Sequence, residues 1–211
     1  MARSVAPSSN APALLVIVPH ILQARKKAAA QRDEWEQEIT YSTQIGMIFK
    51  AVLHINPQGV SWRGHRFALD LILRMRWGSA RYSINGIPIG TNHTVAFGDA
   101  RSETLVEIWR KDVFATVIDK LWRAVGVRLL NETIDALKVG HDLRFGDALI
   151  HDDGMTLTKY GFFGAKSQVR CSWSRIRIWS RNGMFHAGSE GDKKACAEFS
   201  YIKDANIHIL E

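Results

Sequence analysis

One order of signals occurs twice in this chain, and it constrains the fold more than any other feature. "LHINPQGVSW" in the first half and "LIHDDGMTLT" in the second both read as strand, polar turn, glycine, apolar residue, hydroxyl residue, apolar residue. Gly59 matches Gly154, Val60 matches Met155, and Ser61 matches Thr156. Trp77 follows its glycine by 18 residues and Trp173 follows its own by 19. Asn-Gly pairs then end at Gly86 and Gly183, 27 and 29 residues after those glycines. Each copy closes on a helical pattern. Such self-similarity marks a duplicated supersecondary unit. A length of 211 residues accommodates two units of roughly 100 residues each.

The text between these landmarks reads as short antiparallel strands. "ITYSTQIGMIFKAVLHI" (39–55) is β-branched and aromatic with no helical stripe. "NPQG" (56–59) is a turn, and Asn85-Gly86 is the strongest short hairpin signal. "GTNHT" (90–94) reads as a loop between strands. A long helix over 112–139 closes the first unit, its apolar residues recurring at spacings of three and four. Asp112 is its expected N-cap, Gly140 its stop, and Gly126 an interior weak point where it bends or packs closely. The two units are expected to pack through this helix. The second unit ends in "DANIHILE", about one helical turn.

Ahead of the repeat, residues 1–10 lack periodicity and are expected to be disordered. Residues 21–38 are rich in helix formers, but a basic first half and an acidic second half oppose the helix dipole. Such a helix needs contacts, which points to an interacting arm. "APALLVIVPHIL" (11–22) is short of the ~20 apolar residues that span a bilayer, and no small-residue cleavage site follows. It reads as a helix or extended arm docked on a partner or on the folded body, with a short signal-anchor as the alternative. The resulting division is 1–38 as arm, 39–140 as first unit and 141–211 as second.

Two motifs in the second copy, "GMTLTKYGFFG…VRCSWSRIRIWSRNGMF" and "SYIKDANIHILE", resemble bacterial pleckstrin-homology-like (PH-like, GRAM-related) domains. The carriers are a Gly-apolar start, a Trp-Ser-x-Ile strand, an Asn-Gly hairpin and an Asn-x-x-x-Leu helix opening, here Asn206 and Leu210. "QGVSWRG…LDLILRMRWG…SINGIPIG" is similar to the same pattern more loosely, so the resemblance covers about residues 40–211. It implies an α+β, mainly β fold: two PH-like modules, each a bent antiparallel sheet or partly open barrel capped by a C-terminal helix, behind an N-terminal helical arm. The second module departs from the pattern in its short terminal helix.

For function, the strip "CSWSRIRIWSRNG" (171–183) matters most. Strand alternation sends Ile176 and Ile178 inward, with Trp173 serving the core, and Arg175, Arg177, Trp179 and Arg181 outward. Arginine pairs with phosphate bidentately and indole stacks on bases, so this face is a candidate polyanion platform. A solvated face with arginine stacked on tryptophan is the competing reading. Arg74 and Arg76 echo the strip in the first copy. The loops where PH-like domains bind phosphoinositides correspond to Arg63, His65 and Arg66, and to Lys159 and Lys166. Neither is a dense basic cluster, although the chain carries a net charge of +7.

No catalytic spacing is present: there is no GxSxG, no P-loop, and no HxxxH or HExxH among the histidines and aspartates of 141–153. No cofactor or metal is expected. Cys171 and Cys196 read as buried free thiols in a reducing cytoplasm, with peripheral membrane association as a variant. The expectation is a non-catalytic binding protein, an adaptor, immunity or scaffold subunit that recognises a protein partner, in part through residues 11–38. Recognition of anionic lipid or nucleic acid by the arginine-rich faces is the alternative.

Overall fold

The computed structural model describes residues 13–46, 49–85, 87–160 and 166–211. The disorder expected for residues 1–10 lies outside the described residues, as does part of the 158–168 loop. The chain divides into two compact units, up to Glu38 and from Ile39 onward. The first is almost all of helix α1 (Ala13–Ile39), which begins eight residues before the helix formers at Ile21. It has no acidic residue in its first turn and no basic residue in its last, so the dipole goes unsupported. One i,i+4 pair, Arg32 to Glu36 at 2.9 Å, braces its surface. Among the described residues, no helix is long and apolar enough to cross a membrane.

The second unit is α+β and mainly β. Strands β1 (Tyr41–Ile45), β2 (Ala51–Asn56), β3 (Gly59–Trp62) and β4 (His65–Phe67) form an antiparallel sheet in that order. A 3₁₀ turn at Leu69–Leu71 leads into β5 (Arg74–Ile84), β6 (Ile87–Gly98) and β7 (Glu103–Ile108), a second sheet also in chain order. "GTNHT" therefore lies inside β6 and is not a loop. Pairing with β5 and, from His93 onward, with β7 engages the backbone there, and Ser79 bonds the His93 ring at 2.6 Å. Helices α2 (Lys111–Leu121) and α3 (Val127–Lys138) follow, joined without a break by a π turn over Trp122–Gly126.

The second half repeats this order. β8 (Leu143–Phe145), β9 (Ala148–Ile150), β10 (Gly154–Tyr160) and β11 (Lys166–Ser172) come first, then a 3₁₀ turn at Trp173–Arg175. β12 (Ile176–Arg181), β13 (Met184–Ser189), β14 (Asp192–Ser200) and the short helix α4 (Ile207–Leu210) complete it. Among the described residues each half is thus four strands, a 3₁₀ turn, three strands and a helix. The matched residues occupy matched places: Val60 pairs with Phe67 across β3 and β4, and Met155 pairs with Cys171 across β10 and β11. Gly59 and Gly154 open the third strand of each half, and at either one a Cβ would come under 3.0 Å from the backbone of the fourth strand. The tryptophans are the exception. Trp77 lies within β5 against the core, while Trp173 sits in the 3₁₀ turn and is 42% exposed.

The long helix departs from expectation at its start. Arg110 occupies the N-cap position without a side-chain cap, and Asp112 sits in the first turn, paired to Arg110. An arginine–carboxylate pair has replaced the cap. Gly140 ends the helix as read: with φ at +81 it places its N–H on Leu137 O at 2.9 Å and that of His141 on Ala136 O at 3.0 Å. Gly126 marks the π turn, because a Cβ there would strike the Trp122 ring.

Two hydrophobic clusters form the core, one in each half, and two elements touch both. Leu137 of α3 packs on the second cluster. Within α4, Ile207 belongs to the second cluster while Ile209 packs on the first. The segment between β14 and α4 also runs along the outer edge of β5. Asn206, at φ +62, takes both backbone groups of Met75, whose N–H reaches Oδ1 at 2.8 Å and whose carbonyl accepts from Asn206 N at 2.7 Å. Its Nδ2 donates to Leu73 O at 2.8 Å.

His208 completes this clasp. Its ring stacks on Trp77 at 3.8 Å and on Tyr201 at 4.7 Å, and Nε2–H donates to Trp77 O at 2.9 Å. Burial lowers its pKa below the ordinary 6.5, against smaller opposing effects from Trp77 O and Glu211. The neutral ring is therefore favoured in the folded chain, so its contribution to stability is present above pH 6.5 and lost as pH falls through the lowered value. The urea midpoint is expected to fall between about pH 7 and pH 5, and to fall less in His208→Phe, which keeps the stack but cannot titrate. An identical pH slope in the variant would remove His208 as the cause.

Candidate functional site

Several of the residues proposed for binding bond to partners within the chain. Arg74 and Arg76 are internal braces: Arg74 grips Asp99 O through Nε at 2.9 Å and Nη2 at 2.6 Å, and Arg76 binds Glu103 and Ile202 O. They correct the expectation of a basic face on β5, since strand β5 lies where the C-terminal segment and the Asp99 turn supply acceptors. Lys159 pairs with Asp192 at 2.6 Å, and this ammonium holds the Asp192 carboxyl below its usual range. Lys166 is exposed at the start of β11.

Arg63, His65 and Arg66 are exposed around the β3–β4 turn, where Arg63 takes φ +47 and Gly64 φ +84. The Arg63 guanidinium lies 5.2 Å from the centre of the buried Trp62 ring, a cation–π contact. It also lines an open cavity of about 350 Å³ together with Trp62, Leu105, Glu107 and Trp109.

The β12 strip differs from the alternation read in sequence. Ile176 is half-buried, but Ile178 is 54% exposed. The register explains why: Ile178 stands opposite Ala187 on the core side, yet β12 is the last strand of its sheet and runs past the cover of the core. Trp173 is held at the surface by Nε1–H donating to Asp152 O at 2.8 Å. Arg175 belongs to the 3₁₀ turn, not the strand. On the outer face, Trp179 stacks on His186 at 5.2 Å with an interplanar angle of 1°, and its ring covers Gly188. Arg177 pairs with Glu190 and keeps that carboxyl below its usual range, while Arg181 is exposed beside the turn.

The surface contains apolar residues that sequence reading passed over. Tyr82, Ile87, Ile89 and Trp109 are 45%, 68%, 57% and 48% exposed. Tyr82 and Trp109 rings lie 6.1 Å apart, which places the β5–β6 hairpin beside the mouth of the Trp109 cavity. The available signal was "RYSINGIPIG", apolar on both sides of an Asn-Gly turn.

The acidic and histidine-rich stretch 141–153 forms a structural network. His151 is 3% exposed, with Nδ1 at 2.5 Å from Asp142 and Nε2 at 2.8 Å from Thr156. Both ring nitrogens are thereby engaged in tying the start of the second half to β10. Among the described residues no group of three or more His, Cys, Asp or Glu is placed to hold a metal ion. Cys171 and Cys196 are free thiols on β11 and β14, which flank β10 on opposite sides, and burial pushes the Cys196 thiol up. No family model, curated protein or solved structure matches the chain.

Proposed function

We propose that residues 39–211 are two tandem PH-like modules and that the chain is a non-catalytic binding protein, an adaptor, immunity or scaffold subunit for a protein partner. The doubled order of four strands, 3₁₀ turn, three strands and helix supports the tandem reading. The observation that carries the function is the exposed apolar hairpin with Tyr82, Ile87 and Ile89 beside Trp109 and its cavity. Clustered aromatic and aliphatic side chains at a concave surface are the usual anchors of protein interfaces. The polyanion reading draws on the net charge of +7 and on Arg66 and Arg181. It is weakened by the commitment of Arg74, Arg76 and Lys159 to partners within the chain.

Affinity purification from the native host is expected to recover one protein in stoichiometric amount. The triple substitution Tyr82→Ser, Ile87→Ser, Ile89→Ser should lose it while the far-ultraviolet circular dichroism stays unchanged, and deletion of residues 1–38 should weaken it. Recovery of the chain alone, together with salt-sensitive binding to oligonucleotides or anionic vesicles, would overturn the proposal in favour of polyanion recognition.

A further inference from the structure

We propose that the outer edge of β12 is a docking site for an extended acidic segment of a protein partner, which adds to the sheet as one more strand. This rests on the protein-binding reading and specifies a place and a chemistry for it. β12 pairs with β13 on one side, and among the described residues the sheet has no strand on its other side. Asn182 at φ +53 and Gly183 at φ +73 form a two-residue turn of type I′. Arg181 and Met184 flank that turn and exchange hydrogen bonds across it, which sets the phase of the ladder. Arg177, Trp179 and Arg181 bond to β13, while Ile176, Ile178 and Ser180 direct N–H and C=O outward.

The first half of the chain shows that such an edge can be covered. β5 holds the corresponding place after its own 3₁₀ turn, and it has the same phase. Met75 and Trp77 point their side chains to the core and their backbone groups outward, where Asn206 and His208 take them. Under that cover Met75 is 3% exposed, whereas Ile178 is 54% exposed. A run of turns leading into α4, bonding through Asn206 and the His208 ring, thus already satisfies such an edge and shields its core-side residue once in this chain.

Charge selects the occupant. Arg177 and Arg181 line β12 and Arg175 precedes it, and a second copy would set like charges side by side, which destabilises cross-strand pairs. Basic side chains on an edge are also a common device against self-pairing. A strand with carboxylates at alternate positions would place them beside Arg177 and Arg181, and its intervening apolar residues over Ile178. The Arg177–Glu190 pair does not bar this. Its partners are 69% and 52% exposed, so it contributes little and exchanges readily.

The test uses the full chain and a fluorescein-labelled peptide of alternating aspartate and valine. Saturable binding is expected, about tenfold weaker in Ile178→Pro, which removes an outward N–H without touching a β13 bond, and at least as much weaker in Arg177→Glu with Arg181→Glu. In the wild-type chain, peptide should slow amide exchange at Ile178 and Ser180 and leave Trp179 unchanged, a readout that does not depend on any variant folding. Absence of saturable binding, or equal binding by Ile178→Pro with no protection at Ile178, would overturn the proposal. So would oligonucleotide or anionic-vesicle binding that needs the arginines but ignores Ile178→Pro. Chain dimerisation that slows exchange at the same amides would assign the edge to a second copy and overturn it as well. A host protein that co-purifies equally with Ile178→Pro would defeat this edge yet leave the binding function standing, whereas recovery of no protein partner would defeat the function itself.

Discussion

Replacing Gly59 with alanine is expected to cost on the order of 3–5 kcal/mol, a large fraction of the roughly 5–15 kcal/mol that holds a typical domain folded. Two effects combine there. The added Cβ would come under 3.0 Å from the backbone carbonyl of Phe67, and φ at Gly59 is +146, a conformation that L side chains rarely adopt. The carbonyl belongs to the paired strand β4 and cannot yield without breaking the Val60–Phe67 register. Gly154→Ala meets the same collision with Cys171 at an ordinary φ, so its cost should be smaller, about 2–3 kcal/mol. Gly64→Ala isolates the other effect, because φ is +84 but nothing lies within 4 Å of the added Cβ, and about 1–2 kcal/mol is expected. Urea midpoints measured at constant m would rank the three. If Gly64→Ala proved as damaging as Gly59→Ala, collision with the fourth strand would not be what makes Gly59 necessary.

Asn206→Ala carries the second large effect, about 3 kcal/mol. The substitution removes two hydrogen bonds of 2.8 Å, leaving Met75 N–H without that partner under a packed segment and Leu73 O without it at the surface. Stranding a buried donor costs about 1–3 kcal/mol, and alanine at φ +62 adds about 1 kcal/mol that asparagine largely avoids. Asn206→Asp should lose less, since Oδ1 still accepts from Met75 N–H while the donation to Leu73 O disappears. Asn206→Gly relieves the backbone but removes both bonds. The expected order of urea midpoints is wild type, aspartate, glycine, alanine. Equal midpoints for aspartate and alanine would show that the side-chain bonds to β5 contribute nothing.

Much of the architecture was legible in the residues because turns and periodicity are local. Gly59, Gly154, Asn182-Gly183 and Gly140 each report a backbone conformation or a close approach that few other residues permit. The long helix was legible from its spacing, and Gly126 from its place within it. Its N-cap was misread because aspartate is favoured both at the cap and within the first turn, and Asp112 takes the second place, two residues after Arg110. "GTNHT" was misread because polar residues in a strand look like a loop until the partners Ser79 and Phe114 are known.

The candidate site was less legible, because exposure is decided by what lies next to a strand and not by the strand itself. Alternation placed Ile178 on the correct face, but only the sheet order shows that, among the described residues, no strand lies beyond this edge. Likewise "RMRW" and "RIRIW" read alike, yet Arg74 and Arg76 are spent on Asp99, Glu103 and Ile202 while Arg175 and Arg181 remain at the surface.

The sequence by itself determined the doubled order of elements, the hairpin turns and the extent of the long helix, since each follows from φ preferences and apolar period within a few residues. Tertiary structure alone decided that residues 201–208 close the edge of β5 and that, among the described residues, no strand pairs with the outer edge of β12. Those outcomes depend on contacts between residues more than 120 positions apart, such as Met75 with Asn206, which no local preference encodes.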